Sequence, residues 1–170
     1  MPKLAEIKYC TGCTACACAC PKGCITMWAD ENGFRFPVVD SDTCVSCGLC
    51  ERACPVAMPR EMPKTLPKAY AVYTRDEALR LGSSSGGVFS ELAKTVLDRG
   101  GAVFGAAYNE EFEVVHICAE TEPELARLRG AKYAQSDLGN TFSQVKQRLD
   151  REQSVLFSGT PCQVGGLKAF

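Results

Sequence analysis

The stretch Cys10-Thr11-Gly12-Cys13-Thr14-Ala15-Cys16-Ala17-Cys18-Ala19-Cys20-Pro21 reads C-x2-C-x2-C-x3-C-P. A second copy follows: Cys44, Cys47, Cys50, Cys54 and Pro55 repeat the spacing. The offset is constant at 34 residues (44 − 10 = 54 − 20 = 34), so the two runs form an internal repeat. Soft thiolates this closely spaced suit iron–sulfur chemistry. The chain has twelve cysteines in 170 residues. Its first residues, Met1-Pro2-Lys3-Leu4-Ala5-Glu6, lack the apolar core of a signal peptide. Many cysteines without an export signal argue for metal binding over disulfides. Zinc is the main rival, but structural zinc sites pair two short knuckles at a distance. Here three cysteines follow one another, a fourth precedes proline, and the arrangement occurs twice.

The spacing resembles that of bacterial two-cluster ferredoxins, in which the fourth cysteine of each run ligates the cluster of the other. The resemblance implies two [4Fe–4S] clusters. One would be held by Cys10, Cys13, Cys16 and Cys54, the other by Cys44, Cys47, Cys50 and Cys20. Cys18 and Cys24 are extra thiols, and a register shifted through Cys18 stays open on spacing alone. The second run has Arg52 and Met58 at the matching positions, so the repeat requires neither cysteine. Both read as small buried thiols. Gly12 and Gly48 sit in the two-residue gaps, where backbone amides can approach sulfur.

Composition limits what else the chain can do. Hydrophobic residues make up 46%, enough for a core, and the formal net charge is −1. Without a basic block, nucleic-acid binding has no electrostatic support. No apolar run approaches the roughly 18 residues of a membrane span. A reducing cytoplasmic location is expected.

Residues 1–58 read as the ferredoxin domain. Ile25–Ala29 and Phe34–Val38 flank Asp30-Glu31-Asn32-Gly33, which predicts a β-hairpin able to shield a cluster, with Trp28 packed in it. Prolines 55, 59, 63 and 67 forbid a helix, and 59–68 is expected to be an extended linker. Residues 69–170 alternate helix and strand patterns, as in a mixed α/β domain. Helices are expected over 74–81 (capped by Thr74), 88–98, 122–128 and 138–149, and strands over 102–108, 112–118 and 154–157. Another helix begins near Gln163, and the chain ends inside it, as a truncated domain would. The fold class is thus α+β: a bacterial-type two-cluster ferredoxin domain, then an incomplete mixed α/β domain, to which family resemblance adds the expectation of a flavin type.

Ser83-Ser84-Ser85-Gly86-Gly87 opens the helix at 88. It reads either as a helix cap or as a phosphate cradle, because free amides and the helix dipole attract anions there. No G-x-G-x-x-G or P-loop is present, so a Rossmann dinucleotide site is unsupported. His116, the only histidine, alternates with Val114 and Cys118 and reads as a packed core residue, as does Cys118.

Three segments in order, Ser84-Ser85-Gly86-Gly87-Val88-Phe89, Gly130-Ala131-Lys132-Tyr133-Ala134-Gln135-Ser136 and Val155 to Gln163, resemble the family of coenzyme F-420 hydrogenase/dehydrogenase β subunits. The resemblance implies FAD beside the clusters. Ser84, Ser85, Gly86, Gly87, Lys132 and Tyr133 would be cofactor-binding residues. Lys132 would meet a pyrophosphate or the flavin ring, or else be an ordinary surface lysine. Cys162 ligates a further cluster in some members; the downstream cysteines that such a cluster needs are absent here, so it stays outside the ligand set. The expected function is an iron–sulfur flavoprotein oxidoreductase passing electrons between the clusters and FAD. Its partner would be a redox protein or a small-molecule acceptor. The rival is an electron carrier or docking component without flavin.

Overall fold

The computed structural model describes residues 1–59 and 67–170. The linker expected over 59–68 therefore lies mostly outside the described residues. By internal contacts the chain divides into two compact units, Met1–Met62 together with Gly159–Phe170, and Pro63–Ser158.

In the first unit each cysteine run folds into a loop and a short helix, α1 (Ala15–Cys18) and α2 (Leu49–Ala53). The 34-residue repeat is visible in the backbone. Gly12 (φ +62°) corresponds to Ser46 (φ +52°), and Thr14 (φ +59°) to Gly48 (φ +74°). Each run thus needs two left-handed residues, and glycine fills one of them in each copy, at alternate sites. Left-handed backbone costs a residue with a Cβ on the order of 1–2 kcal/mol, so Thr14 and Ser46 mark geometry that the loops enforce.

Between the helices lies the hairpin, β1 (Ile25–Ala29) antiparallel to β2 (Arg35–Val39). Its turn is longer than a two-residue Asn-Gly turn. Asp30 Oδ1 accepts from the amides of Asn32 and Phe34, both at 2.9 Å, and Gly33 adopts φ +84°. Trp28 is 67% exposed, so its expected packing role is not met. Alternation explains this, because Met27 and its partner Pro37 take the inward face.

Residues 159–170, expected to continue the second domain, cluster with the first unit instead. They form α7 (Pro161–Ala169), begun by a capping box in which Thr160 N donates to Gln163 Oε1 at 2.9 Å. α7 packs on α1 and α2. Gly165 lies close to Pro55, where an added Cβ would be 3.5 Å from the ring.

The second unit is a three-stranded sheet between helices. β3 (Ala102–Tyr108) is central, antiparallel to β4 (Val114–Ala119) and parallel to β5 (Val155–Phe157). On one face Val103, Ala107 and Ala119 pack against Ala93 of α4 (Val88–Leu97) and Leu125 and Leu128 of α5 (Glu122–Leu128). α6 (Thr141–Leu149) also packs on the three strands, and its Phe142 meets Phe157 edge-on at 5.9 Å. The helix α3 (Glu77–Leu81) starts later than expected, with Asp76 as its cap, accepting from Leu79 N at 3.0 Å. Thr74 is drawn elsewhere: its hydroxyl donates to Glu91 of α4.

Candidate iron–sulfur centres and a cofactor cavity

The eight repeat cysteines part into two groups of four that cross the repeats. Cys10, Cys13, Cys16 and Cys54 line one pocket, walled by Leu4, Met27, Pro37 and Val56. Cys20, Cys44, Cys47 and Cys50 line the other, with Ile25 and Val45. In the resemblance drawn from spacing, Cys20 and Cys54 likewise stand with the opposite run. Both pockets are apolar-walled and sulfur-rich, which fits a soft, partly desolvated cluster. All twelve cysteines are free thiols.

Burial pushes the Cys16 thiol up to about 12, and burial also raises Cys13 and Cys50. Iron bound there would have to displace these protons. Backbone amides soften the penalty: Ala15 N–H faces Cys13, Ala17 faces Cys16 and Glu51 faces Cys50. Ala57 N donates to Cys54 Sγ at 3.4 Å.

Cys24 is not an ordinary core thiol. It is buried, lines the second pocket and lies 3.3 Å from Cys20, sulfur to sulfur. The hydrogen bond with Cys20 is the first cause raising the Cys24 thiol, to about 12. Burial raises Cys20, but Cys24 and neighbouring amides outweigh it and bring its value below the usual. The pair therefore favours a proton on Cys24 and a thiolate on Cys20. Cys18 lines neither pocket. Cys162, second residue of α7, sits 3.1 Å from Thr160 Oγ1 and near enough to Cys13 to raise that thiol, after burial.

The second unit holds a cavity of about 350 Å³, within the range of small-molecule sites. Ser83 to Ser90 wall one side, and Leu128, Arg129, Gly130 and Ala131 wall another. The Ser/Gly turn and the start of the Gly130 segment thus meet, although more than forty residues separate them. Ser84, Ser85, Gly86 and Gly87 all line the cavity. The glycines have a further reason to be there. A Cβ on Gly86 would lie 2.7 Å from Val72 O, and one on Gly87, at φ +79°, 2.6 Å from Thr74 Cγ2. The chain at 72–74 crosses close over this turn, and Thr74 N donates to Gly86 O at 2.7 Å.

Lys132 and Tyr133 do not line the cavity. Lys132 Nζ donates to the carbonyls of Arg127 and Arg129, at 3.0 and 2.8 Å, so it caps the end of α5. Burial lowers its pKa. Tyr133 is 98% exposed. Among the described residues the cation on the cavity wall is Arg129, one residue before the segment that the family resemblance marks, so no sequence motif pointed to it. His116 is buried and stacked on Phe157 at 5.3 Å; Nε2 donates to Ser158 O at 3.0 Å, and Nδ1 has no partner among the described residues.

Two known families match successive parts of the chain. Residues 9–58 match the 4Fe-4S dicluster domain. Residues 69–142 match the N-terminal domain of the coenzyme F420 hydrogenase/dehydrogenase β subunit. The chain is thus similar to β subunits of this family that carry a ferredoxin-type domain in front. It is 28% identical to one of the subunits of the F(420)H(2) dehydrogenase of Methanosarcina mazei, over 95% of this chain and 49% of that protein. It is 27% identical to the coenzyme F420-dependent sulfite reductase of Methanocaldococcus jannaschii, over 98% of this chain and 26% of that protein. The chain thus spans about half the length of the first relative and about a quarter of the second. Among the described residues no helix is long and apolar enough to cross a membrane.

Proposed function

We propose that this chain carries electrons between two [4Fe–4S] clusters and an FAD held in the cavity of the second unit, within an oxidoreductase that acts on coenzyme F420. The four-and-four grouping of the cysteines is the observation that supports this most. Cys10, Cys13, Cys16 and Cys54 would hold one cluster, and Cys20, Cys44, Cys47 and Cys50 the other. The clusters supply single-electron transfer, and a flavin supplies exchange between one- and two-electron chemistry. The protein's part is to bind and insulate. Met27 and Pro37 would limit water at the first pocket, and the Ala57 amide at the Cys54 sulfur would stabilise the charge of a reduced cluster.

The FAD reading is supported by the cavity, by the family, and by the first-turn amides of α4, donors that intrahelical bonds do not use. Coenzyme F420 is proposed as substrate because it appears in the names of both relatives. A redox protein remains the alternative partner. Anaerobic purification followed by iron, sulfide and flavin assays tests the whole reading. About eight irons and one FAD per protein are expected, from two four-iron clusters. Four or fewer irons, or zinc instead, would overturn the two-cluster assignment. Full iron without flavin would identify an electron carrier or docking component.

A further inference from the structure

Arg129 is held more tightly than its place in the wall of a cavity requires. Nε donates to Ser90 Oγ at 3.1 Å, and Nη2 pairs with Glu122 at 2.5 Å. Its side chain is only 19% exposed. These bonds fix the guanidinium plane, and none of them uses Nη1. The residue lines the same cavity as the Ser/Gly turn that opens α4. Lys132, three residues further on, is spent on two backbone carbonyls. Ser84 and Ser85, also on the cavity wall, make no side-chain hydrogen bond among the described residues.

We infer that Arg129 is the phosphate anchor of this cavity, and that it sets a preference for a phosphorylated flavin over the bare ring system. The inference rests on the flavin reading above and deepens it. A guanidinium already oriented by Ser90 and Glu122 loses little freedom when it meets an anion, and its fork geometry matches phosphate oxygens. The first-turn amides of α4 and the hydroxyls of Ser84 and Ser85 supply neutral donors to the same anion. Arg129 thus contributes charge, and the turn contributes shape. A purely structural role, tying α4 to α5 through Ser90 and Glu122, would leave ligand selectivity untouched.

The test is equilibrium binding of FAD and of riboflavin, followed by flavin fluorescence quenching, on the cluster-loaded protein. Wild type should bind FAD at least about tenfold more tightly than riboflavin, the scale of a hydrogen bond to a charged group. Arg129→Gln should erase most of that ratio and leave riboflavin binding nearly unchanged. A wild-type ratio retained in Arg129→Gln overturns the inference, as does a wild type that binds both ligands equally. If Arg129→Gln binds neither flavin, Arg129→Lys decides. With an unchanged melting temperature, a lowered FAD-to-riboflavin ratio in Arg129→Lys supports the anchor and an unaltered ratio overturns it; a lowered melting temperature with neither flavin bound also overturns it, in favour of the structural tie. A wild type that binds neither flavin removes the flavin reading itself, and the anchor with it.

Discussion

Cys54 lies with Cys10, Cys13 and Cys16, all from the other repeat. Cys54→Ala should therefore alter the cluster proposed for those three, read as loss or conversion of one electron paramagnetic resonance signal. A change confined to the Cys44/Cys47/Cys50 cluster would refute the crossed ligation. Cys18→Ala should leave both signals, since Cys18 lines neither pocket. His116 carries a pH effect of its own. Burial pushes its pKa below 6.5, and the Ser158 carbonyl opposes that only partly. The unfolded chain then binds the extra proton first, so His116 contributes stability above about pH 6.5 that is lost as pH falls toward its folded value. The melting temperature of wild type should drop between pH 7 and 5 more steeply than that of His116→Gln, whose amide can still donate to Ser158. Parallel slopes would show that the ring does not titrate in this range.

Among the elements, the turn that opens α4 leaves little room for an added side chain. Gly86→Ala would place a carbon 2.7 Å from Val72 O and 3.2 Å from Tyr73 Cα, both backbone atoms with little room to yield. A loss of about 1–3 kcal/mol is expected in denaturant unfolding, the range for overpacking. Asp76→Ala removes the cap of α3 and should cost about 1 kcal/mol. If Gly86→Ala proved as mild as Asp76→Ala, the close crossing at 72–74 would not be a fixed feature. The glycines at 86 and 87 therefore serve the fold whether or not they serve a ligand. A bulky replacement there would confuse the two roles, whereas Arg129 separates them.

At the scale of the whole chain, α7 belongs to the first unit although it is far from the cysteine loops in sequence. Gly165 stands beside Pro55, next to Cys54, 110 residues earlier in the chain (165 − 55 = 110). Gly165→Leu should press on Pro55 and lower iron retention by the Cys10/Cys13/Cys16/Cys54 cluster during gel filtration, while the other cluster persists. Unchanged iron in that variant would mean that α7 rests on the cysteine loops without supporting them.

Much of this was legible in the chain itself. Covalent spacing fixes how far apart neighbouring thiols can stand, so the two C-x2-C-x2-C-x3-C-P runs announced their chemistry directly. Helical periodicity marked α4 and α5, and short apolar runs marked β3 and β5, all within a residue or two; β3 is buried on both faces, as a continuous apolar run implies. Other features depended on partners distant in sequence. Thr74 lost its capping role to Asp76 because Glu91 competes for its hydroxyl. Trp28 turned outward because Met27 and Pro37 hold the inner face. Residues 159–170 joined the first unit because α7 finds its packing on α1 and α2, a choice that no local pattern encodes. Arg129 rather than Lys132 reached the cavity because the end of α5 has carbonyls that need a cation, and Lys132 is the one that caps them. Sequence alone thus determined the ligand chemistry and the elements, which depend on short-range covalent and periodic constraints. Tertiary structure decided which side chains share a site, since that depends on competition among partners far apart in the chain.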